Sequence, residues 1–133
     1  MRALFLSLAI IVSICTSASA SEFGFSTVIS SQIQAFKDGD VEAAFSFASP
    51  EVQSNFGTAE NFVAMVQSTY PMIWRPADFM FLGQKTHDVF AMQEVIFFDS
   101  YGKGFTFIYE MIDLAGSWKI NGVFQVNKEA FAV

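Results

Sequence analysis

The C-terminal half of the chain carries a two-residue alternation of apolar side chains that predicts β-strands. It is strongest from Asp88 to Leu114, where two apolar runs flank the turn-forming sequence SYGKG. Both runs have apolar residues on both faces, so we expect a sheet that is covered on both sides. The four expected strands span residues 78–84, 88–99, 104–114 and 118–127. The links KTH, SYGK and AGS are short enough to predict an antiparallel meander.

The last predicted strand is apolar on one face only. Its inward set is expected to be Trp118, Ile120, Phe124 and Val126. Polar residues alternate with this set, so part of the outer face tolerates water, and Gly122 marks a candidate bulge.

The N-terminal half instead repeats apolar residues at helical spacing. The first helix is expected to follow an N-cap at Ser26 or Thr27 and to end near Gly39. Three later helices are expected after the N-cap candidates Asp40, Ser49 and Thr58. Pro71 ends the last of them, because the residue before a proline leaves the helical region, and we expect residues 70–76 to be extended or turned.

The first 20 residues have the pattern of a secretory signal peptide. Arg2 supplies positive charge, the run from Ala3 to Ile14 is apolar or small, and Ala18-Ser19-Ala20 allows cleavage after Ala20. The run is shorter than the ~20 apolar residues that span a bilayer, and the large Ile14 before Cys15 argues against a lipoprotein. The sequence therefore predicts a periplasmic or secreted protein with one domain at residues 21–133.

Removal of this leader changes the composition in two ways. The remaining 113 of 133 residues contain no cysteine, so no disulfide, thiolate chemistry or cysteine metal site is available. Without Arg2, six basic side chains face 13 acidic ones, a net charge of −7, and no basic cluster occurs. We therefore expect no nucleic-acid partner and, after cleavage, no stable membrane anchor.

Particular stretches of the chain resemble a known superfamily. AFKDGDVEAAFSFASPEV is similar to the first-helix exit and second helix of the nuclear-transport-factor-2-like superfamily, and GSWKINGV to its last-strand entry. The resemblance implies an α+β cone, with N-terminal helices packed on a curved four-stranded antiparallel sheet. More narrowly, QAFKDGDVEAAFSFASPEVQSNFG followed by YPMIWRP resembles a family of small exported bacterial proteins known as a domain of unknown function. That resemblance implies no reaction.

The enzymes of the superfamily allow a test for a known activity. Ketosteroid isomerase, which the chain resembles in architecture, uses a tyrosine and two aspartates inside the cone. Here Tyr70 lies in the crossing segment, and the inward strand positions offer glutamates instead. Scytalone dehydratase uses a pair of histidines, whereas this chain has His87 alone. The resemblance therefore implies a fold without a transferable activity.

Glu94 and Glu110 need an explanation because each lies in the middle of an otherwise apolar strand. If Asp99 pairs with Phe105, the two carboxylates lie side by side on one face, where one keeps a proton or a cation lies between them. A one-residue slip places them on opposite faces. They either face water, or form a carboxylate pair in the cone mouth for acid/base work or ligand binding.

Arg75 lies between Trp74 and Pro76, where the chain is stiff and the guanidinium can stack on an aromatic ring. Its two competing roles are structural, capping helix carbonyls or pairing with an acid, and functional, binding an anionic ligand group at the open end of the cone. His87 is interpreted as a solvated loop residue, since a metal site needs further converging ligands. We predict no metal and no cofactor.

Together these features favour a non-enzymatic exported module that binds a small apolar or anionic ligand in an apolar cavity, or that acts through interaction. One alternative is a small pocket enzyme, an isomerase, dehydratase or hydrolase, and another is a structural subunit of an envelope complex. In the enzyme, Glu94 or Glu110 is the base and Tyr70 or Arg75 the polariser. The cavity residues are expected to be Tyr70, Trp74, Arg75 and the inward member of Glu94 and Glu110. Because one helix layer covers one sheet face, we expect a homodimer through the other.

Overall fold

A computed structural model describes residues 24–127, and the predicted leader at residues 1–20 lies outside this part. The helices are α1 (Gly24–Asp38), α2 (Val41–Ser46), α3 (Pro50–Phe56), α4 (Ala59–Thr69) and α5 (Pro71–Trp74). The strands are β1 (Asp78–His87), β2 (Phe90–Phe98), β3 (Gly104–Leu114) and β4 (Ser117–Gln125). They form one antiparallel sheet in the order β1-β2-β3-β4. The α+β class and the four-stranded meander are confirmed.

Three of the predicted N-caps are present. The side chains of Asp40, Ser49 and Thr58 each accept a hydrogen bond from the backbone N–H three residues later, at 3.1, 3.3 and 3.2 Å. Each bond satisfies one of the N–H groups that the first turn of a helix leaves without an internal partner. The starts of α2, α3 and α4 therefore follow directly from local sequence.

The first helix begins earlier than predicted. α1 already includes Gly24, so Ser26 and Thr27 lie inside the helix and neither is its N-cap. Phe25 extends the buried stripe of α1, and its ring meets Trp118 edge-on at 5.4 Å between centroids. Ser26 Oγ donates to Gln93 Oε1 of β2 at 3.1 Å. Contacts with the sheet, which local sequence does not reveal, thus continue the helix through the two cap candidates.

The segment at residues 70–76 contains a short helix, so the expectation of an extended or turned crossing is wrong. Pro71 ends α4 as predicted, because Tyr70 before it has φ −129°, outside the helical region. The same proline then occupies the first position of α5, where its missing N–H leaves no bond unmade. Ile73 in this helix is buried and joins the core. One residue thus stops one helix and starts the next.

The first and last turns of the sheet differ from their predicted positions. Residues 85–87 belong to β1, and the β1–β2 turn is Asp88-Val89, with Asp88 at φ 57°. His87 is therefore an exposed strand residue paired with Phe90, and the prediction of a loop residue is wrong. The β3–β4 turn is Ala115-Gly116, with φ angles of 55° and 88°. Such paired positive angles match the right-handed twist of two-residue hairpins.

The inner face of the sheet packs against the helices and forms the core. Its most deeply buried hydrophobic strand residues are Val95, Phe97, Phe107, Tyr109 and Met111. The helices contribute Ile29, Ile33, Phe36, Phe62 and Val66. The rings of Phe97 and Phe107 meet edge-on at 5.6 Å between centroids, a favourable arrangement for two aromatic groups.

Strand β4 changes the direction of its side chains half-way along. The β3–β4 register shifts between Glu110 and Met111, which inserts Asn121 as an extra residue. Trp118 and Ile120 are buried as predicted, but beyond the bulge Val123 packs on the core and Phe124 is 41% exposed. The prediction that Phe124 faces inward is wrong, because a bulge reverses the alternation of every later residue.

Candidate functional site

A cavity of about 300 Å³ lies between the helices and the inner face of the sheet. Five of its lining residues carry aromatic rings: Phe36, Phe56, Phe62, Tyr70 and Tyr109. Gln32 supplies a side-chain amide, and no carboxylate, histidine, lysine or arginine of the described chain contributes to the wall. This volume is at the lower end of the ~300–1,000 Å³ typical of small-molecule sites.

The cavity opens between α3, α4 and β4. The lining residues from these elements that are only half-buried are Val52, Phe56, Met65, Gly122 and Val123, whereas Gln32 and Ile120 are buried. Ser49, the N-cap of α3, also donates through Oγ to Asn121 Oδ1 at 2.8 Å, which ties this helix to the bulge of β4. The bulge therefore turns Val123 into the cavity and fixes the helix beside the opening.

Tyr109 is the most unusual residue of the cavity wall. It lies in the middle of β3, paired with Gln93 on one side and Val123 on the other, and it is wholly buried. Within the described part of the chain its hydroxyl has no hydrogen-bond partner. A buried polar group left in this state costs about 1–3 kcal/mol. Burial also raises the pKa of the Tyr109 hydroxyl well above its usual range, so the group stays protonated and neutral at physiological pH.

The two buried glutamine side chains of the described chain are bonded to other groups. Gln93 accepts from Ser26 and donates through Nε2 to the carbonyl oxygens of Leu82, Gly83 and Glu94 at 3.2, 3.2 and 2.9 Å. Gln32 Nε2 donates to the Ala44 carbonyl oxygen at 3.1 Å. Both amides hold backbone together: the first braces the irregularity of β1 between Phe81 and Gln84, and the second joins α1 to α2.

Of the five residues that the sequence proposes for ligand binding, the structure brings Tyr70 to the cavity. Its ring meets Phe107 edge-on at 5.3 Å between centroids. The ring of Trp74 packs on the ring of Phe36, at 5.6 Å between centroids, and it lies outside the cavity wall. The prediction that one cavity gathers these residues with Arg75 and a glutamate is therefore wrong.

Arg75 has a structural position. Its Nη1 atom donates to the carbonyl oxygens of Phe36 and Trp74, and its guanidinium lies 4.4 Å from the centroid of the Trp74 ring. The side chain is exposed, and the cavity wall does not include it. Of the two roles open at the sequence level, this geometry matches the capping of helix carbonyls at the end of α1.

Glu94 and Glu110 share one face of the sheet, but they do not lie side by side. Phe98 pairs with Gly104, whereas a pairing of Asp99 with Phe105 is needed to set the carboxylates opposite each other. The register therefore differs by two residues, so Glu94 faces Ile108 and Glu110 faces Met92. That face is the outer one, away from the helices, and both glutamates are half-buried there. The carboxylate pair inside the cone mouth is therefore contradicted by the register.

The outer face of the sheet is apolar apart from a few charges. Its large apolar residues are Met80, Phe90, Met92, Ile96, Phe98, Ile108, Ile112 and Phe124. Lys85, paired with Met92, lines a shallow depression together with Glu94. Glu110 lies over Gly122, where an added Cβ would be 3.0 Å from Oε2. No helix of the described chain covers this face, and we call it the outer sheet face.

Tyr109 is not among the residues that the sequence proposes, because the two-residue alternation does not distinguish a tyrosine from the other aromatic residues of the strand. The signal is the position: Tyr109 shares the alternation of Phe107 and Met111, so its ring is inward and its hydroxyl needs a partner.

Two kinds of feature do not occur within residues 24–127. No group of three or more histidine, cysteine, aspartate or glutamate side chains is placed to hold a metal ion. None of the helices in this part is long and apolar enough to cross a membrane.

Comparison with known proteins identifies a family and a fold. Residues 18–133 match the family model described as a domain of unknown function, DUF4864. An NTF-2 like protein of unknown function from Shewanella oneidensis MR-1 is similar in structure, with a TM-score of 0.57 at 13% identity over 80% of this chain and 98% of that chain. Another such protein, from Burkholderia xenovorans LB400, gives 0.51 at 15% identity over 86% and 96%.

A third similar structure is a SEC-C motif containing protein from Rhodopseudomonas palustris, with a TM-score of 0.56 at 15% identity over 75% of this chain and 77% of that chain. No curated protein matches the chain. At these identities the likeness shows a shared NTF-2 like fold, and a shared fold does not carry a function with it.

Proposed function

The chain belongs to the family described as a domain of unknown function, DUF4864, and we propose from its own residues that it binds a small, largely apolar molecule in the inner cavity. The observation that carries this proposal is the buried hydroxyl of Tyr109, which has no partner within the described chain, on a residue that contributes to the wall of an apolar cavity. Unsatisfied buried polar groups are rare, and a ligand that accepts a hydrogen bond removes the penalty.

The position of the acidic side chains favours binding over acid/base catalysis in this cavity. Glu94 and Glu110, the bases of the enzymatic alternative, lie on the other face of the sheet. Tyr109 holds its proton strongly, which makes it a hydrogen-bond donor and a poor general base. A ligand in the cavity therefore meets apolar walls and neutral polar groups.

A cavity-filling variant tests the proposal. Val123→Phe adds a ring beside the opening, and its neighbour Phe124→Leu changes the other face of the same strand as a matched control. We expect native mass spectrometry of the protein purified from its own host to show a retained small molecule in the parent and in Phe124→Leu, but not in Val123→Phe. Retention by all three proteins would place the ligand elsewhere, and its absence from the parent would contradict the proposal.

We further propose that the outer sheet face is covered by a second copy of the chain. Its extent is roughly 19 Å by 30 Å from standard strand spacing and rise, the same order as the ~800 Å² that each partner buries in a stable interface. The face carries Lys85 as well as Glu94 and Glu110, and none of these forms an ion pair within the described chain. A two-fold axis can set the lysine of one copy against the glutamates of the other.

Sedimentation velocity tests the homodimer. Ile108→Asp adds a carboxylate beside Glu94 in the middle of the face, whereas Tyr101→Asp alters a turn residue that is 95% exposed. We expect a dimer for the parent and for Tyr101→Asp at tens of micromolar, and a monomer for Ile108→Asp. A parent that stays monomeric at this concentration contradicts the proposal, and a dimer that survives Ile108→Asp places the interface elsewhere.

We also propose export, with cleavage after Ala20. The support is the pattern of Arg2, the apolar run from Ala3 to Ile14 and the small residues before the site. The family match, which begins at residue 18, leaves the charged and apolar parts of this pattern outside the shared domain. N-terminal sequencing of protein from the periplasm or medium is expected to begin at Ser21. Retention of Met1 on the protein inside the cell contradicts the proposal.

A further inference from the structure

We infer that the ligand of the inner cavity is an uncharged molecule with an apolar body and one carbonyl, ether or hydroxyl oxygen, which accepts a hydrogen bond from Tyr109. This inference rests on the proposed binding function and adds the chemical class of the ligand. It also selects between the two classes that the sequence left open, an apolar ligand and an anionic one.

The absence of a cation in the described wall argues against an anionic ligand. Arg75, the cation that the sequence offers for such a group, is exposed and bonded to backbone carbonyl oxygens outside the cavity. A carboxylate moved from water into the cavity would lose its hydration without gaining a counter-charge. That transfer is far more costly than the transfer of a neutral oxygen, which a single hydrogen bond compensates.

The side-chain amides of Gln32 and Gln93 already make hydrogen bonds within the protein, so we assign the polar contact with the ligand to Tyr109. Gln32 donates to the Ala44 carbonyl oxygen, and Gln93 is bonded to Ser26 and to three backbone carbonyl oxygens. The Tyr109 hydroxyl has no such partner within residues 24–127. Since it stays neutral, it can donate to a carbonyl or ether oxygen and can exchange a hydrogen bond with an alcohol.

The walls set the size and nature of the rest of the ligand. The cavity volume of about 300 Å³ equals that of about ten molecules of liquid water at ~30 Å³ each, which suits a ligand with on the order of ten heavy atoms. Aromatic rings form much of the wall, including Phe36, Phe56 and Phe62. Such rings favour contact with other rings or with alkyl chains, so the apolar body is either cyclic or a short chain.

A matched series of probes tests this class. Acetylnaphthalene has one carbonyl oxygen, ethylnaphthalene has almost the same shape without it, and naphthoate carries a charge. Undecane, decanol and decanoate repeat the comparison on a chain. Dissociation constants are measured for the parent, for Tyr109→Phe and for Tyr101→Phe, a control at a residue that is 95% exposed.

We expect the parent to bind acetylnaphthalene or decanol about tenfold more tightly than the matched hydrocarbon, the discrimination that one buried hydrogen bond supplies. The carboxylate should bind more weakly than the hydrocarbon at neutral pH. Tyr109→Phe should bring the oxygenated probe and the hydrocarbon to equal affinity, while Tyr101→Phe keeps the tenfold preference. This pattern in either series supports the inference.

Other outcomes overturn the inference while leaving the binding function intact. Equal affinity of the parent for the hydrocarbon and its oxygenated partner means that the hydroxyl does not contact the ligand. Tightest binding of a carboxylate contradicts the uncharged class. If Tyr70→Phe abolishes the preference for the oxygenated probe and Tyr109→Phe keeps it, then Tyr70 and not Tyr109 makes the hydrogen bond, which contradicts the inference. If neither series binds and protein from its own host retains no small molecule, the proposed function itself fails.

Discussion

The inner and outer faces of the same sheet are both apolar, but they differ in what surrounds their polar residues. On the inner face, Tyr109 and Gln93 are enclosed, and the buried apolar side chains of β2 and β3 join the helices in one core. On the outer face, Glu94 and Glu110 are half-buried among apolar neighbours, with no element of the described chain above them. The first environment is that of a protein core, and the second is that of a surface which another molecule can cover.

This difference shows that hydrophobicity alone does not separate a core from an interface. Phe107 is wholly buried and Phe90 is 51% exposed, although both are phenylalanines in the middle strands of the sheet. What separates the faces is the kind of polar residue they accept. A neutral amide or hydroxyl can be enclosed permanently. A carboxylate instead needs water when the face is open, and an opposite charge when the face is covered.

The largest expected effect is the loss of a ring from the inner face. Phe107→Ala should lower the free energy of unfolding by about 3–5 kcal/mol, since the removed ring leaves a cavity in a closed core. Phe90→Ala on the outer face should lower it by less than about 1 kcal/mol. Urea unfolding at low protein concentration measures both, because dimerisation adds a concentration-dependent term. Similar losses for the two variants would mean that the outer face is packed within the monomer.

The next comparison uses two adjacent residues of β2. Gln93→Leu should lower the free energy of unfolding by about 1–3 kcal/mol, because it leaves Ser26 and the carbonyl oxygens of the β1 irregularity without their shared partner. Glu94→Leu, its outward neighbour, should stay within about 0.5 kcal/mol in the monomer. A large loss for Glu94→Leu would show that its carboxylate has a stabilising partner outside the described residues.

The sequence predicted the parts of the fold that depend on local pattern. Alternation gave the four strands, and the caps at Asp40, Ser49 and Thr58 gave three helix starts. It could not predict the start of α1, because Phe25 is held by packing on Trp118, far along the chain. Local signals are reliable where a residue and its hydrogen-bond partner are three residues apart, and they fail where tertiary contacts decide.

The site was harder to predict because it depends on register. Because Phe98 lies opposite Gly104, Glu94 and Glu110 are not neighbours across the strands. The carboxylate of Asp99 accepts hydrogen bonds from the N–H groups of Tyr101 and Lys103, so Asp99 belongs to the turn and does not pair with Phe105. A shift of this size is invisible to an alternation pattern, since a two-residue change keeps every side chain on its face. Whether a tyrosine hydroxyl finds a partner is likewise a tertiary property.

A smaller effect concerns stability at high pH. Burial raises the pKa of Tyr109 in the folded protein, whereas the unfolded chain releases this proton near pH ~10. Above that pH the unfolded state binds fewer protons, so the free energy of unfolding falls with rising pH, by up to ~1.4 kcal/mol per pH unit. Below it the contribution is constant. Tyr109→Phe should remove this part of the slope, and parallel slopes for the two proteins between pH 10 and 11 contradict the expectation.

The smallest expected effect is the most informative about the cavity, because its sign differs from the usual one. Replacing a buried tyrosine by phenylalanine normally lowers stability by breaking a hydrogen bond, about 0.5–1.5 kcal/mol. The Tyr109 hydroxyl has no such bond within the described chain, so Tyr109→Phe should leave the free energy of unfolding at neutral pH unchanged or raise it by up to about 1 kcal/mol. Chemical denaturation of ligand-free protein measures this. A gain in stability together with a loss of ligand preference shows that the inner face keeps an unfavourable group for binding, whereas a loss of stability shows that the hydroxyl serves the fold.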